Sequence, residues 1–175
     1  AGYIGKKQVS KSAINKTLGL MKNRGPDHQD WCSFTANDAN VYLLHSRLSI
    51  IDLDERSNQP FKFGDCTLIF NGEIYNYIEL RKGLENRGHQ FSTNTDTEVL
   101  VHLYEEYGTD AAGHLNGMFA FALWDAPKKR LWLVRDRMGI KPLIYFEHPN
   151  GILFASSLDA LAHHPVFHTE IDIDS

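Results

Sequence analysis

Cysteine is scarce in this chain: Cys32 and Cys66 are the only two among 175 residues. Two thiols make no disulfide framework, and nothing in their spacing calls for a bridge, so free thiols in a cytoplasmic protein are expected. No CxxC pair or His/Cys constellation is present, so no metal site is expected. Basic excess is also missing. The formal net charge is −4 with both signs dispersed, which argues against a nucleic-acid partner, since phosphate binding leaves a basic patch. No apolar run approaches the roughly 18 residues of a membrane span, and no charged-then-apolar leader opens the chain. Internal repeats, linkers and low-complexity stretches are absent. What remains is a sequence 42% hydrophobic, enough for one domain with a core. A chain of this length buries roughly 70% of its unfolded surface.

Ile14, Leu18 and Met21 share one face of a predicted helix over 12–24, capped by Ser10 or Ser12 and broken at Arg24-Gly25-Pro26-Asp27. Segments 40–45 and 66–71 read as strands. A helix over 73–87 carries Tyr77, Leu80 and Leu84, with Gly88 as a left-handed cap. A further helix over 96–107 buries Val99, Leu100, Leu103, Tyr104 and Tyr107 behind a Thr95 or Asp96 cap. Hairpins follow at 118–124 with 131–134, where Phe119, Phe121 and Leu123 alternate into a sheet core, and at 143–147 with 151–155. A short helix starts near Ser157. This order predicts an α+β domain with helices on sheet faces. His163, His164 and His168 read as a surface cluster, and Arg135-Asp136-Arg137 as a salt-bridge strip.

Three segments carry chemistry. Arg47, just beyond a predicted strand, is suited to gripping a carboxylate through two parallel hydrogen bonds; a surface ion pair is the ordinary alternative. Asn71-Gly72-Glu73 follows a strand predicted to end at Phe70. The Asn71 amide and Gly72 N–H could stabilise an oxyanion, or the pair could be a simple turn. Asp96 could cap its helix or face an ammonium. One cation, Arg47, with two anions, Glu73 and Asp96, and two oxyanion donors would suit a zwitterionic amino acid with a side-chain carbonyl.

RGPD at 24–27, RLSIIDL at 47–53, QPF at 59–61, NGEIYNY at 71–77, TDTEV at 95–99, LNGMFAFALWD at 115–125 and RDRMGIKPL at 135–143 occur in that order. Together they resemble the class II glutamine amidotransferase domain of the glutamine-hydrolysing asparagine synthetases, over nearly all of residues 1–175. The resemblance implies a four-layer αββα sandwich, the N-terminal nucleophile hydrolase fold of two antiparallel sheets flanked by helices. It also implies roles. Arg47 would bind the α-carboxylate of L-glutamine, with Leu48, Ser49, Ile50 and Ile51 lining the pocket by their backbone. Asn71 and Gly72 would form the oxyanion hole, and Glu73 and Asp96 would receive the α-ammonium. Such domains begin with a cysteine whose thiolate attacks the amide and whose free α-amine serves as base; glutamate and ammonia result.

The family opening is Cys-Gly-Ile-x-Gly, whereas this chain opens Ala1-Gly2-Tyr3-Ile4-Gly5. Either the first few residues, with the cysteine, precede Ala1, or Ala1 replaces the cysteine and the domain is a non-catalytic glutamine-binding or scaffold module. Cys32 and Cys66 have no free α-amine and cannot substitute. Ser157 stands where the family usually has glutamate. The Ser-Gly-Gly-x-Asp-Ser phosphate loop of a C-terminal ATP-pyrophosphatase domain is not in this sequence. ATP, magnesium and the amidation of aspartate or another carboxylate would therefore belong to that domain. No cofactor is expected here, and a homodimer is left open. A hydrolase of the same fold acting on another amide is a further alternative.

Overall fold

The computed structural model describes residues 1–48 and 55–167. In chain order the elements are β1 (Gly2–Gly5), α1 (Lys11–Met21), β2 (His28–Ala36), β3 (Ala39–Arg47), β4 (Phe61–Phe63), β5 (Cys66–Ile74), α2 (Tyr77–Glu85), α3 (Asp96–Tyr107), β6 (Gly117–Asp125), β7 (Arg130–Arg135), β8 (Ile144–His148), β9 (Gly151–Ala155) and α4 (Leu158–Ala162). The strands form a five-stranded sheet, β2-β3-β1-β9-β8, and a four-stranded sheet, β4-β5-β6-β7, antiparallel throughout.

The period-2 alternation of strands assigns the layers. On β3, Tyr42 and Leu44 face outward and pack with Ile14, Leu18 and Met21 of α1 and Leu161 of α4. Val41 and Leu43 face inward and meet Ile69, Ala122 and Trp124 of the second sheet. On β5, Leu68 and Phe70 face outward onto Leu100, Val101 and Tyr104 of α3. Leu84 of α2 packs on Val99 and Leu103 of α3. The order helix, sheet, sheet, helix is the expected αββα sandwich.

Of the two caps open for each of α1 and α3, the structure selects Ser10 and Thr95. Ser10 Oγ accepts from Ala13 N–H at 3.2 Å to start α1. Thr95 Oγ1 accepts from Glu98 N–H at 3.2 Å to start α3. Past α2, Gly88 has φ +98°. Its N–H bonds Glu85 O at 3.0 Å, and His89 N–H bonds Leu84 O at 3.1 Å, the paired bonds of a Schellman cap. Gly88→Ala, forced toward a left-handed conformation, is expected to lose about 1–2 kcal/mol of stability, measured by urea unfolding.

Three strands, β1, β2 and β4, escape sequence reading, β4 being only three residues long. β1 is four residues long, and β2 is an edge strand whose burial does not alternate cleanly. The larger correction concerns β5. It does not end at Phe70; it runs to Ile74, with Asn71 opposite Ala120, Gly72 opposite Phe119 and Glu73 opposite Met118. The helix then begins at Tyr77 rather than at residue 73. Asn-Gly favours a turn locally, but the long partner β6 supplies a ladder that outweighs that preference. His164 is half-buried rather than fully at the surface. Its ring lies 4.9 Å from that of Tyr3, and burial pushes its pKa down to about 4. His163 is exposed, and His168 lies outside the described residues.

Candidate active site

The inward rows of β3 and β5 change character at the same end of the sandwich. On β3, Val41 and Leu43 are followed on that face by His45 and Arg47; on β5, Ile69 is followed by Asn71 and Glu73. The apolar core between the sheets thus opens into a polar mouth. A cavity of about 470 Å³ occupies it, lined by Arg47, Leu48, Asn71, Gly72, Glu73 and Asp96 among others. Cavities of roughly 300–1,000 Å³ are typical of small-molecule sites. Arg47, Asn71, Gly72, Glu73 and Asp96, read separately from the sequence, therefore meet in one place. Leu48 is 56% exposed and lines the rim, while Ser49, Ile50 and Ile51 lie outside the described residues.

β5 has one edge left open beyond Leu68, because β4 is short and pairs only from Cys66 to Leu68. Backbone groups on one strand edge recur at every second residue, so Phe70, Gly72 and Ile74 all present theirs to this edge. Phe70 is clamped on both sides. Its N–H donates to Gln59 Oε1 at 2.6 Å, and its carbonyl lies 3.0 Å from His45 Nε2. The Ile74 N–H donates to Asp96 Oδ2 at 3.0 Å. Gly72, between these two anchored neighbours, directs its own backbone at the cavity. Its φ is +150°, and a Cβ there would lie 2.1 Å from Met118 O. Only glycine fits so close to β6.

Charge is distributed as the sequence suggested, with additions. Arg47 is 7% exposed, and its Nη1 donates to Asn58 Oδ1 at 2.7 Å. Asp96 is the first residue of α3 rather than its cap. Burial raises its pKa, opposed by its N–H donors and reinforced by the charge of Glu73. His45 is pushed down to about 3, first by burial, so it is a neutral imidazole here. Gln59, Thr97, Arg24 and Lys141 also line the cavity, so Arg47 is not its only cation. Sequence reading passed over these four, although Gln59, Thr97, Arg24 and Lys141 all fall inside the quoted motifs.

Lys141 is brought there by Asp136. The expected salt-bridge strip is not what 135–137 forms. The Asp136 carboxylate is buried and accepts from the N–H groups of Phe119 at 3.2 Å, Ile140 at 2.9 Å and Lys141 at 2.9 Å. Arg135 donates instead to the carbonyls of Lys141 at 3.1 Å and Gly139 at 2.7 Å. Burial alone would raise the Asp136 pKa, but these donors outweigh it and the pKa is lowered. A lowered carboxylate pKa adds stability above its unfolded value, near 3.9, that is lost as pH falls through the native value. Urea midpoints of the native chain should therefore fall more steeply below about pH 4 than those of Asp136→Asn. Parallel acid profiles for the two would contradict this role.

The layers and the polar mouth define a domain of the N-terminal nucleophile hydrolase fold. The glutamine phosphoribosylpyrophosphate amidotransferase of Bacillus subtilis superposes with a TM-score of 0.67 over 92% of this chain and 43% of its own, at 21% identity. The chain belongs to the glutamine amidotransferase domain family, whose model matches residues 1–175. It is 39% identical over 174 residues to asparagine synthetase (glutamine-hydrolysing) 3 of Bacillus subtilis, covering 95% of this chain and 27% of that protein. It is 45% identical over 144 residues to asparagine synthetase (glutamine-hydrolysing) 2 of the same organism, covering 81% and 18%. Amidase chry2 of Gibberella zeae is 40% identical over 148 residues, covering 83% of this chain and 22% of its own. The chain thus spans about a quarter or less of the length of these relatives. No helix among the described residues is long and apolar enough to cross a membrane.

Proposed function

We propose that the cavity binds L-glutamine for hydrolysis to glutamate and ammonia. The observation that carries this reading is the open edge of β5. There the Gly72 N–H and the Asn71 side chain sit between two anchored backbone positions, as a rigid donor pair for an amide oxygen that becomes an oxyanion. Arg47 takes the substrate carboxylate, and Glu73 and Asp96 take its ammonium.

The nucleophile in this reading is an N-terminal cysteine three residues before Ala1. Strand register supports it. Ala1 exchanges backbone hydrogen bonds with Leu44 at 2.8 and 2.9 Å, continuing the pairing of Gly2 with Leu43. Three further steps along the ladder lie opposite Arg47, and residues directly opposite share a face. The side chain would then face the same interlayer space as Arg47. Its thiolate attacks the amide carbon while its α-amine takes and returns the proton; ammonia leaves, and water cleaves the thioester. Neither Cys32 nor Cys66 lines the cavity, and burial pushes both thiols up to about 11.

The ammonia would serve ATP-dependent amidation of aspartate or another carboxylate by a synthetase domain, which would hold the ATP and magnesium. Two free thiols suit the cytoplasm. The test is a chain with Cys-Gly-Ile ahead of Ala1 as its mature start. It should release glutamate from glutamine. Binding without turnover would identify a non-catalytic glutamine-binding module, and loss of both would end the proposal.

A further inference from the structure

A second cluster of polar side chains lies on α3, about 9–14 Å along the helix axis from Asp96. His102 and Glu105 share a helix face at i, i+3 spacing, and His89 joins them from the turn that closes α2. Their inner atoms converge. His89 Nδ1 and His102 Nδ1 are 2.9 Å apart. Glu105 Oε2 is 3.5 Å from His102 Nδ1 and 4.0 Å from His89 Nδ1. A triangle with these edges has a point about 2 Å from all three atoms, the length of a zinc–nitrogen or zinc–oxygen bond.

The outer ring nitrogens make an independent observation. His89 Nε2 lies 3.3 Å from Glu106 Oε2. His102 Nε2 lies 3.9 Å from Glu98 Oε1, is buried, and has no hydrogen-bond partner. With both rings neutral and no ion, these contacts conflict. A proton on His89 Nε2, facing Glu106, leaves His89 Nδ1 an acceptor. His102 must then donate from Nδ1, which turns a bare Nε2 lone pair toward the buried Glu98 carboxylate. If instead both Nδ1 atoms ligate a cation, both Nε2 atoms carry protons and both face carboxylates. That is the carboxylate–histidine–metal arrangement that fixes ring orientation and raises ligand basicity. Phe63 and Phe91, with ring centroids 4.3 and 4.4 Å from that of His102, hold its ring in place.

We propose that His89, His102 and Glu105 bind a divalent cation of the zinc class, with a fourth position open to water. Two imidazoles and one carboxylate favour zinc, cobalt, nickel or copper over magnesium or calcium, which take oxygen ligands. The ion would tie the turn after α2 to α3. It would thereby fasten the intervening segment, whose Thr93 N–H and hydroxyl bond Glu98 at 2.7 Å each and whose end, Thr95 and Asp96, lines the cavity. The sequence, with no CxxC or His/Cys constellation, predicts no metal; His89 and His102 come from different elements, thirteen positions apart.

Chelator-treated protein titrated with Zn²⁺ tests this. At a hundredfold excess over Kd, Tm should rise by roughly 5–10 °C. Co²⁺ should give visible bands of low coordination without thiolate charge transfer. Glu105→Gln, at a side chain 40% exposed where the fold tolerates change, should weaken Zn²⁺ binding at least about 10-fold, and Glu106→Gln about 10–100-fold. No Tm rise with Zn²⁺, an equal rise with Mg²⁺, or undiminished binding by Glu105→Gln and His89→Ala would each overturn the proposal. Glutamine binding by the metal-free protein reports separately on the cavity.

Discussion

Replacing Arg47 by alanine is expected to weaken L-glutamine binding about 30- to 5,000-fold, the equivalent of about 2–5 kcal/mol. The size follows from burial. Arg47 is 7% exposed at the mouth between the sheets, so a substrate carboxylate that meets it leaves water. Truncating Arg47 removes the paired guanidinium from a site where Glu73 and Asp96 already supply negative charge, and Arg24 and Lys141, which also line the cavity, offset only part of the loss. Asn58, which accepts from Arg47 at 2.7 Å, orients the guanidinium and so preserves its two parallel donors. Arg47→Lys keeps the charge but loses the fork, and should fall between the native chain and Arg47→Ala. Calorimetric titration with L-glutamine measures all three. Equal affinities would remove Arg47 from the carboxylate site and reopen hydrolysis of a different amide.

Gly72→Ala is expected to cut hydrolysis by the cysteine-bearing chain about 100- to 1,000-fold, as for loss of one oxyanion donor, and to cost about 1–3 kcal/mol of stability through overpacking. The added methyl would lie 2.1 Å from Met118 O and 2.6 Å from Phe119 Cα. Both are backbone atoms of β6 and cannot swing aside like a side chain, so β5 must shift or rotate. Phe70 and Ile74 are anchored on either side by Gln59 and Asp96. The displacement therefore concentrates on the Gly72 N–H itself. Urea unfolding and glutamate release read the two effects. A variant with native stability and turnover would show that β5 is not held as tightly as its ladder indicates.

Both effects of Gly72→Ala arise on β5, a strand whose end local reasoning places too early. Asn71 and Gly72 stand out in the sequence as candidate oxyanion donors, yet their segment reads as a turn. The turn preference of Asn-Gly is a property of neighbours in the chain, whereas the pairing with Gly117 to Phe119 joins residues more than forty positions apart. Asp136 shows the same limit. Its charge and neighbours suggested an ion pair, but its carboxylate serves three backbone N–H groups, two of which lie in the turn that follows. Gln59 and His45 act through Phe70, a contact that no spacing rule encodes.

By itself the sequence determined the existence of three main helices, the Gly88 cap, both C-terminal hairpins, the family and the candidate polar residues of the cavity, because each is written in local preference or in a run of motifs; the choice of Ser10 over Ser12 and of Thr95 over Asp96 as caps came from the structure. Tertiary structure alone decided that Arg47, Asn71, Gly72, Glu73 and Asp96 share one cavity, that the open edge of β5 aims the Gly72 backbone into it, and that His89 meets His102 and Glu105. Those facts depend on which strands pair and which faces pack, and these are set by burial of the two sheets against each other rather than by any stretch of neighbouring residues.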